Sequence, residues 1–139
     1  MTIPSRRQLL SIALVTLAGA PPRSAAAQSN YSATAHALPA RILYEPNVSD
    51  LPDRARPILD AVATAMRLHE DMRIELVAYA SGSPEHPGAV RHLSLVRAVY
   101  IRNYLMEHSI PSTRIELHAL GGQADGGPAD RVDIVALAR

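Results

Sequence analysis

Apolar and polar positions along the chain change period several times, and each change marks an element. RILYEP at 41–46 is a short β-type run closed by Pro46, and NVSD at 47–50 then offers capping residues for a helix. That helix carries Leu51, Ile58, Leu59, Val62, Ala63 and Met66 on its inner side. Pro57 lies at the end of the first turn if Asp53 is the cap, and implies a kink if the helix starts at Leu51. RIELVAYA at 73–80 alternates as a strand, with Ile74, Leu76 and Ala78 on one face and Val77 and Tyr79 on the other. Both faces are largely apolar, which fits an interior strand covered by helices on one side at least. SGSPEHPG at 81–88 is a loop.

A second helix, about 89–108, places Ser94, Ala98, Ile101 and Leu105 on one face, with Leu93, Arg97, Tyr100 and Tyr104 beside them. Pro111 stops it. RIELHAL at 114–120 is a third strand, GGQADGGP a loop, and RVDIVAL at 131–137 a fourth strand that sets Val132, Ile134 and Ala136 against Asp133, Val135 and Leu137. The order β-α-β-α-β-β predicts an α/β domain of two layers, helices on one four-stranded mixed sheet around a single core.

Composition changes this picture at the N-terminus. SRRQLL supplies a basic head, Leu9 to Ala20 an apolar run of twelve residues, and SAAAQ a cut site after Ala27, so residues 1–27 read as a secretory signal peptide. Twelve helical residues rise only ~18 Å, too little for a hydrocarbon core of about 30 Å, so no membrane span is expected after cleavage. The paired Arg6 and Arg7 suit the twin-arginine route of a bacterial exporter, with the periplasm as destination. Residues 28–40 then read as a flexible leader and 41–139 as the domain.

Cleavage would remove Arg6, Arg7 and Arg23 and leave eleven arginines against thirteen acids, 11 − 13 = −2. No basic stripe remains to grip nucleic acid. The chain has no cysteine, so neither a disulfide nor an acylated N-terminal cysteine is expected. Its six histidines are scattered without a short ligand spacing, and no metal or cofactor is expected. Ser81 with His86 or His92 lacks a nucleophile-elbow pattern, so the chain reads as a non-enzyme.

LSLVRA, IPSTRIELHALG and the terminal DRVDI carry a resemblance to the OmpA-like domain, the peptidoglycan-binding module of outer-membrane protein A, the peptidoglycan-associated lipoprotein and flagellar stator proteins. It covers about 41–137. The family helix motif L-S-x-x-R-A-x-x-V-x-x-Y-L is matched by Leu93, Ser94, Arg97, Ala98, Ile101, Tyr104 and Leu105, with one aliphatic exchange. Ile110 and Arg114 fit G-I-x-x-x-R, with Ser109 in the glycine's place.

The resemblance implies a ligand, the stem peptide of the cell wall, whose diaminopimelate end carries an ammonium and a carboxylate. It implies Arg97 as the two-pronged reader of the carboxylate. The family aspartate after the second strand, which takes the ammonium, is Ser81 here. The family asparagine before the helix motif is Val90, and N-R-R-V appears as Ala129, Asp130, Arg131 and Val132.

A hydroxyl in place of a carboxylate exchanges roughly 1.5–3 kcal/mol for roughly 0.5–1.5, weakening binding about tenfold unless Glu85 or Asp130 substitutes. On that basis Ser81→Asp should strengthen binding. The expected ligand site is therefore Ser81, Arg97 and Arg131. The bland alternative for Arg97 is a structural ion pair with Asp130 or Asp133. At the level of function, the alternative to peptidoglycan binding is a degenerate domain serving as a protein-interaction or assembly module, with periplasmic or outer-membrane proteins as partners.

Overall fold

Strand alternation decides which side chains reach the core. In the computed structural model, which describes residues 38–137, β1 spans Ala40–Leu43, β2 Ile74–Tyr79, β3 Ile115–Gly121 and β4 Arg131–Ala136. The helices are α1, Ala55–Leu68, and α2, Pro87–Glu107; a 3-10 turn, Ser112–Arg114, leads into β3. The sheet order is β1-β4-β2-β3. β4 pairs antiparallel with both β1 and β2, and β2 pairs parallel with β3. The expected order of elements and the two-layer α/β architecture are those observed.

Ile42, Ile74, Leu76, Ala78, Ile115, Val132 and Ile134 face the helices and meet Leu59, Val62, Met66, Ala98, Ile101 and Leu105 in one buried cluster. Their neighbours in sequence face the other way. Arg41, Asp133, Val135 and His118 therefore share the far face of the sheet, where Leu43 and Val135 are exposed. Ser94, Ala98, Ile101 and Leu105 are all buried, as the helical spacing required, and Arg97 is buried with them.

Several boundaries differ from the sequence reading; α2, for one, begins at Pro87, two residues inside the expected loop 81–88, with proline at its first position. β1 begins at Ala40, paired with Ile134, and ends at Leu43; beyond it Tyr44 N–H still reaches Asp130 O at 3.1 Å, and Pro46 breaks the pairing. The leader expected over 28–40 thus yields its last residue to the sheet. The NVSD segment does not cap α1: the N-cap is Arg54, without a side-chain cap hydrogen bond, after a tight turn in which Ala55 N–H donates to Pro52 O. Pro57 falls in the first turn, where a backbone N–H has no intrahelical partner to lose, so it costs little. The expected signal peptide and most of the expected leader lie outside the described residues.

Candidate functional site

Arg97 lies on the buried face of α2, 0% exposed, and a charge can stay there only if the surrounding chain satisfies it. Four acceptors do so. Nε donates to Val48 O at 2.7 Å, one terminal nitrogen to Glu45 O at 2.9 Å, and the other to Tyr79 O at 3.1 Å and Asp130 Oδ1 at 2.9 Å. The guanidinium carbon also sits 4.6 Å from the centre of the Tyr44 ring. The loop after β1, the end of β2 and the residue before β4 thus converge on one side chain.

Asp130 is the second centre. Its Oδ1 accepts from Ser81 N–H at 3.0 Å as well as from Arg97, and its Oδ2 accepts from Ser81 Oγ at 2.5 Å. Burial pushes the Asp130 carboxyl up, but the Ser81 hydroxyl and N–H, with the Arg97 guanidinium, outweigh it and hold the group below the usual carboxylate range. An acid therefore does stand at the end of β2. It is delivered by the neighbouring antiparallel strand β4, not by position 81, where Ser81 instead donates to it. Of the two substitutes considered, Glu85 is exposed in its loop, its backbone N–H donating to Ser83 Oγ, and takes no part.

Two placements bear on the expected site. The two-pronged ligand contact expected of Arg97 meets an obstacle, because the side chain has no exposed surface and each guanidinium nitrogen already donates within the fold. Arg131 does not join Ser81 and Arg97. It begins β4 on the far face of the sheet, stacked 4.0 Å over the Tyr79 ring, donating to Asp133 Oδ2 at 3.0 Å and to Pro128 O. Asp133 in turn accepts from Arg41 Nε at 2.6 Å. Strand alternation alone separates the two arginines, since Val132 between Arg131 and the core strand residues points toward the helices.

Ser94 and Gly121 show why the helix motif needs a small hydroxyl. Ser94 Oγ donates to Arg91 O at 2.7 Å and accepts from Gly121 N–H at 3.1 Å, locking α2 to the end of β3. Gly121 has φ +57°, and a Cβ there would lie 3.2 Å from the Arg91 backbone, so a side chain would be both strained and crowded.

Two clefts flank this region. The larger, about 570 Å³, runs between Gly82–Gly88 and Leu120–Gln123, with Arg91 its one charged lining residue among the described residues. The smaller, about 400 Å³, lies between the loop after β1 and the loop before β4, lined by Tyr44, Glu45, Pro46, Arg54, Pro128 and Asp130, with Leu43 and Ala129 at its sides. Arg54 and Glu45 were not nominated from sequence; the 76 to 85 residues that separate them from Asp130 leave no local signal. Among the described residues no group of three His, Cys, Asp or Glu side chains is placed to hold a metal, and no helix is long and apolar enough to cross a membrane.

The OmpA family model matches residues 43–131. Among solved structures, the peptidoglycan-associated lipoprotein from Burkholderia pseudomallei aligns with TM-score 0.60 and 17% identity over 70% of this chain and 89% of its own. The OmpA-like domain of FopA1 from Francisella tularensis aligns with TM-score 0.62 and 15% identity over 69% and 70%. The C-terminal domain of Helicobacter pylori MotB aligns with TM-score 0.62 and 12% identity over 72% and 85%. At these identities the likeness establishes the fold. No curated protein matches the chain.

Proposed function

The chain belongs to the OmpA family, and from that premise we propose that it is a non-enzymatic cell-envelope module that binds peptidoglycan non-covalently through the end of a stem peptide. The observation that carries this reading is Asp130. Its carboxylate is bonded to both the N–H and the Oγ of Ser81, which supplies at the end of β2 the acid that position 81 lacks. An ammonium on the ligand then has a counter-charge, and Asp130 keeps acceptor capacity at Oδ2, which takes one hydrogen bond from the protein. In this reading Ser81 and Arg97 position Asp130, and Arg131 braces the start of β4 from the far face.

The chain is proposed to be exported, losing residues 1–27 and leaving 28–39 as a leader, and to act in the periplasm. Mass spectrometry of periplasmic material that still began at Met1 or Thr2 would oppose this. Binding is tested by co-sedimentation with purified sacculi. Wild type should sediment, Asp130→Ser should not, and Ser81→Asp/Asp130→Ser, which moves the acid back to β2, should recover sedimentation. Failure of wild type to sediment sinks the proposal.

A second reading is favoured by one observation, the complete burial of Arg97. A domain whose carboxylate reader has turned inward can serve as a periplasmic interaction or assembly module, with periplasmic or outer-membrane proteins as partners, and absence of sacculus binding by a folded wild type would select it.

A further inference from the structure

Arg97 is consumed by the fold, so a ligand carboxylate needs another cation. Among the described residues, Arg54 is the single cation that lines the cleft beside Asp130. Resting on the peptidoglycan reading above, we propose that this cleft is a subsite for a zwitterionic amino-acid end, with Arg54 as the carboxylate reader and Asp130 and Glu45 as the ammonium partners.

Arg54 is held but not used up. One terminal nitrogen donates to Leu43 O at 3.0 Å and lies 3.9 Å from Glu45 Oε1, while its Nε and other terminal nitrogen have no hydrogen-bond partner among the described residues. The guanidinium thus keeps donors for a two-pronged contact. The pair with Glu45 is long and solvent-washed, its side chains 59% and 76% exposed, so an incoming carboxylate displaces little. Glu45 and Asp130 bring two acids to the same cleft, of which Asp130 is 11% exposed and already charge-matched by Arg97; the partner of Glu45 is Arg54 itself, 3.9 Å away. One exposed cation and one acid held only by that long pair suit a ligand bearing one carboxylate and one ammonium, which would meet one each.

A volume of about 400 Å³ lies within the range of small-molecule sites, roughly 300–1,000 Å³. The larger cleft offers Arg91 and no acid, and so has nothing for an ammonium.

The chemistry is shared by a stem-peptide terminus and by free amino acids, and two measurements separate them. In the first, calorimetry with free meso-diaminopimelate should show binding that Arg54→Ala weakens about tenfold or more, with Arg54→Gln behaving alike, melting temperatures unchanged, and Glu45→Gln giving a smaller loss. Ligand amidated at the carboxylates should not bind. In the second, the same variants are sedimented with sacculi.

If Arg54→Ala binds both ligands as wild type does, or if wild type fails to bind free diaminopimelate at millimolar concentration, the subsite is wrong. Sacculus binding that survives in Arg54→Ala leaves the peptidoglycan reading standing without the subsite. Arg54-dependent binding of free diaminopimelate without sacculus binding does the reverse, and makes free amino acids the source.

Discussion

Arg97 shows how far a residue can be read from its neighbours in sequence. Its place among Ser94, Ala98 and Ile101 marked it as buried, and Asp130 was one of two acids considered as its partner. The rest of its environment, the carbonyls of Glu45, Val48 and Tyr79, was illegible, because every residue carries a carbonyl and only folding decides which ones point inward. Removing the guanidinium strands the Asp130 charge, so Arg97→Ala should cost about 3–5 kcal/mol in chemical denaturation. Arg97→Lys should recover little of it, since one ammonium cannot span four acceptors. A loss under about 1 kcal/mol for Arg97→Ala would argue for a guanidinium free to meet a ligand. The same geometry attaches a stability cost to Ser81→Asp. With Ser81 Oγ 2.5 Å from Asp130 Oδ2, a second carboxylate would share one guanidinium, and the single variant should lose about 1–3 kcal/mol of stability at pH 7. Adding Asp130→Ser should relieve that loss; equal melting of Ser81→Asp and wild type would contradict it.

At the scale of elements, helix ends were the hardest features to place. α2 closes with Ser109 at φ +70°, its N–H donating to Met106 O at 3.1 Å, while Ile110 N–H reaches back to Leu105 O at 3.1 Å and the Ile110 side chain is buried. This is a Schellman ending whose left-handed position normally favours glycine. The departure noticed at Ser109 against the family glycine is thus a backbone matter, and Ser109→Gly should raise stability by about 0.5–1 kcal/mol, read as a higher melting temperature. An unchanged or lower value would show that the serine fits there without strain. Arg114, noticed only as a motif match, closes α1 from outside: Nε donates to Met72 O at 2.8 Å, and one terminal nitrogen to Met66 O and His69 O at 2.8 and 2.6 Å. The NVSD segment misled because capping residue types suit turns equally well, and Val48 N–H indeed closes a turn on Glu45 O.

For the whole molecule, periodicity made the layers, the strand count and most of the core legible, since burying one face of each element leaves few alternatives. The sheet order was not legible, because which strand lies between β1 and β2 is a long-range choice that no local pattern records. That choice is also what sets Arg131 apart from Arg97 and brings Asp130 to Ser81. The acid response belongs to this scale. Asp133 resembles Asp130 in its balance: burial pushes it up, but hydrogen bonds from Arg41 and Arg131 hold it below the usual range. A carboxyl whose folded pKa is depressed adds stability that is present above its unfolded value, near pH 4, and is lost as pH falls through the folded value. Melting temperature should therefore stay level from pH 7 to about 5 and fall steeply below about pH 4. Asp133→Asn should flatten that acid limb, and an unchanged limb would remove Asp133 from the account.

The convergence on Arg97 also bears on how the chain reaches its native state. The guanidinium is satisfied only when the loop after β1, the end of β2 and the start of β4 are all in place, segments 18 to 52 residues away from it in sequence. A partly assembled core that enclosed α2 without any one of them would hold a charge with missing partners. Such intermediates are disfavoured, and opening should be all-or-none. In native-state hydrogen exchange the amides of Tyr44, Ala80 and Ser81 should exchange with one common free energy, close to that of global unfolding, and exchange of Tyr44 by a separate, cheaper opening would show that the loop detaches alone.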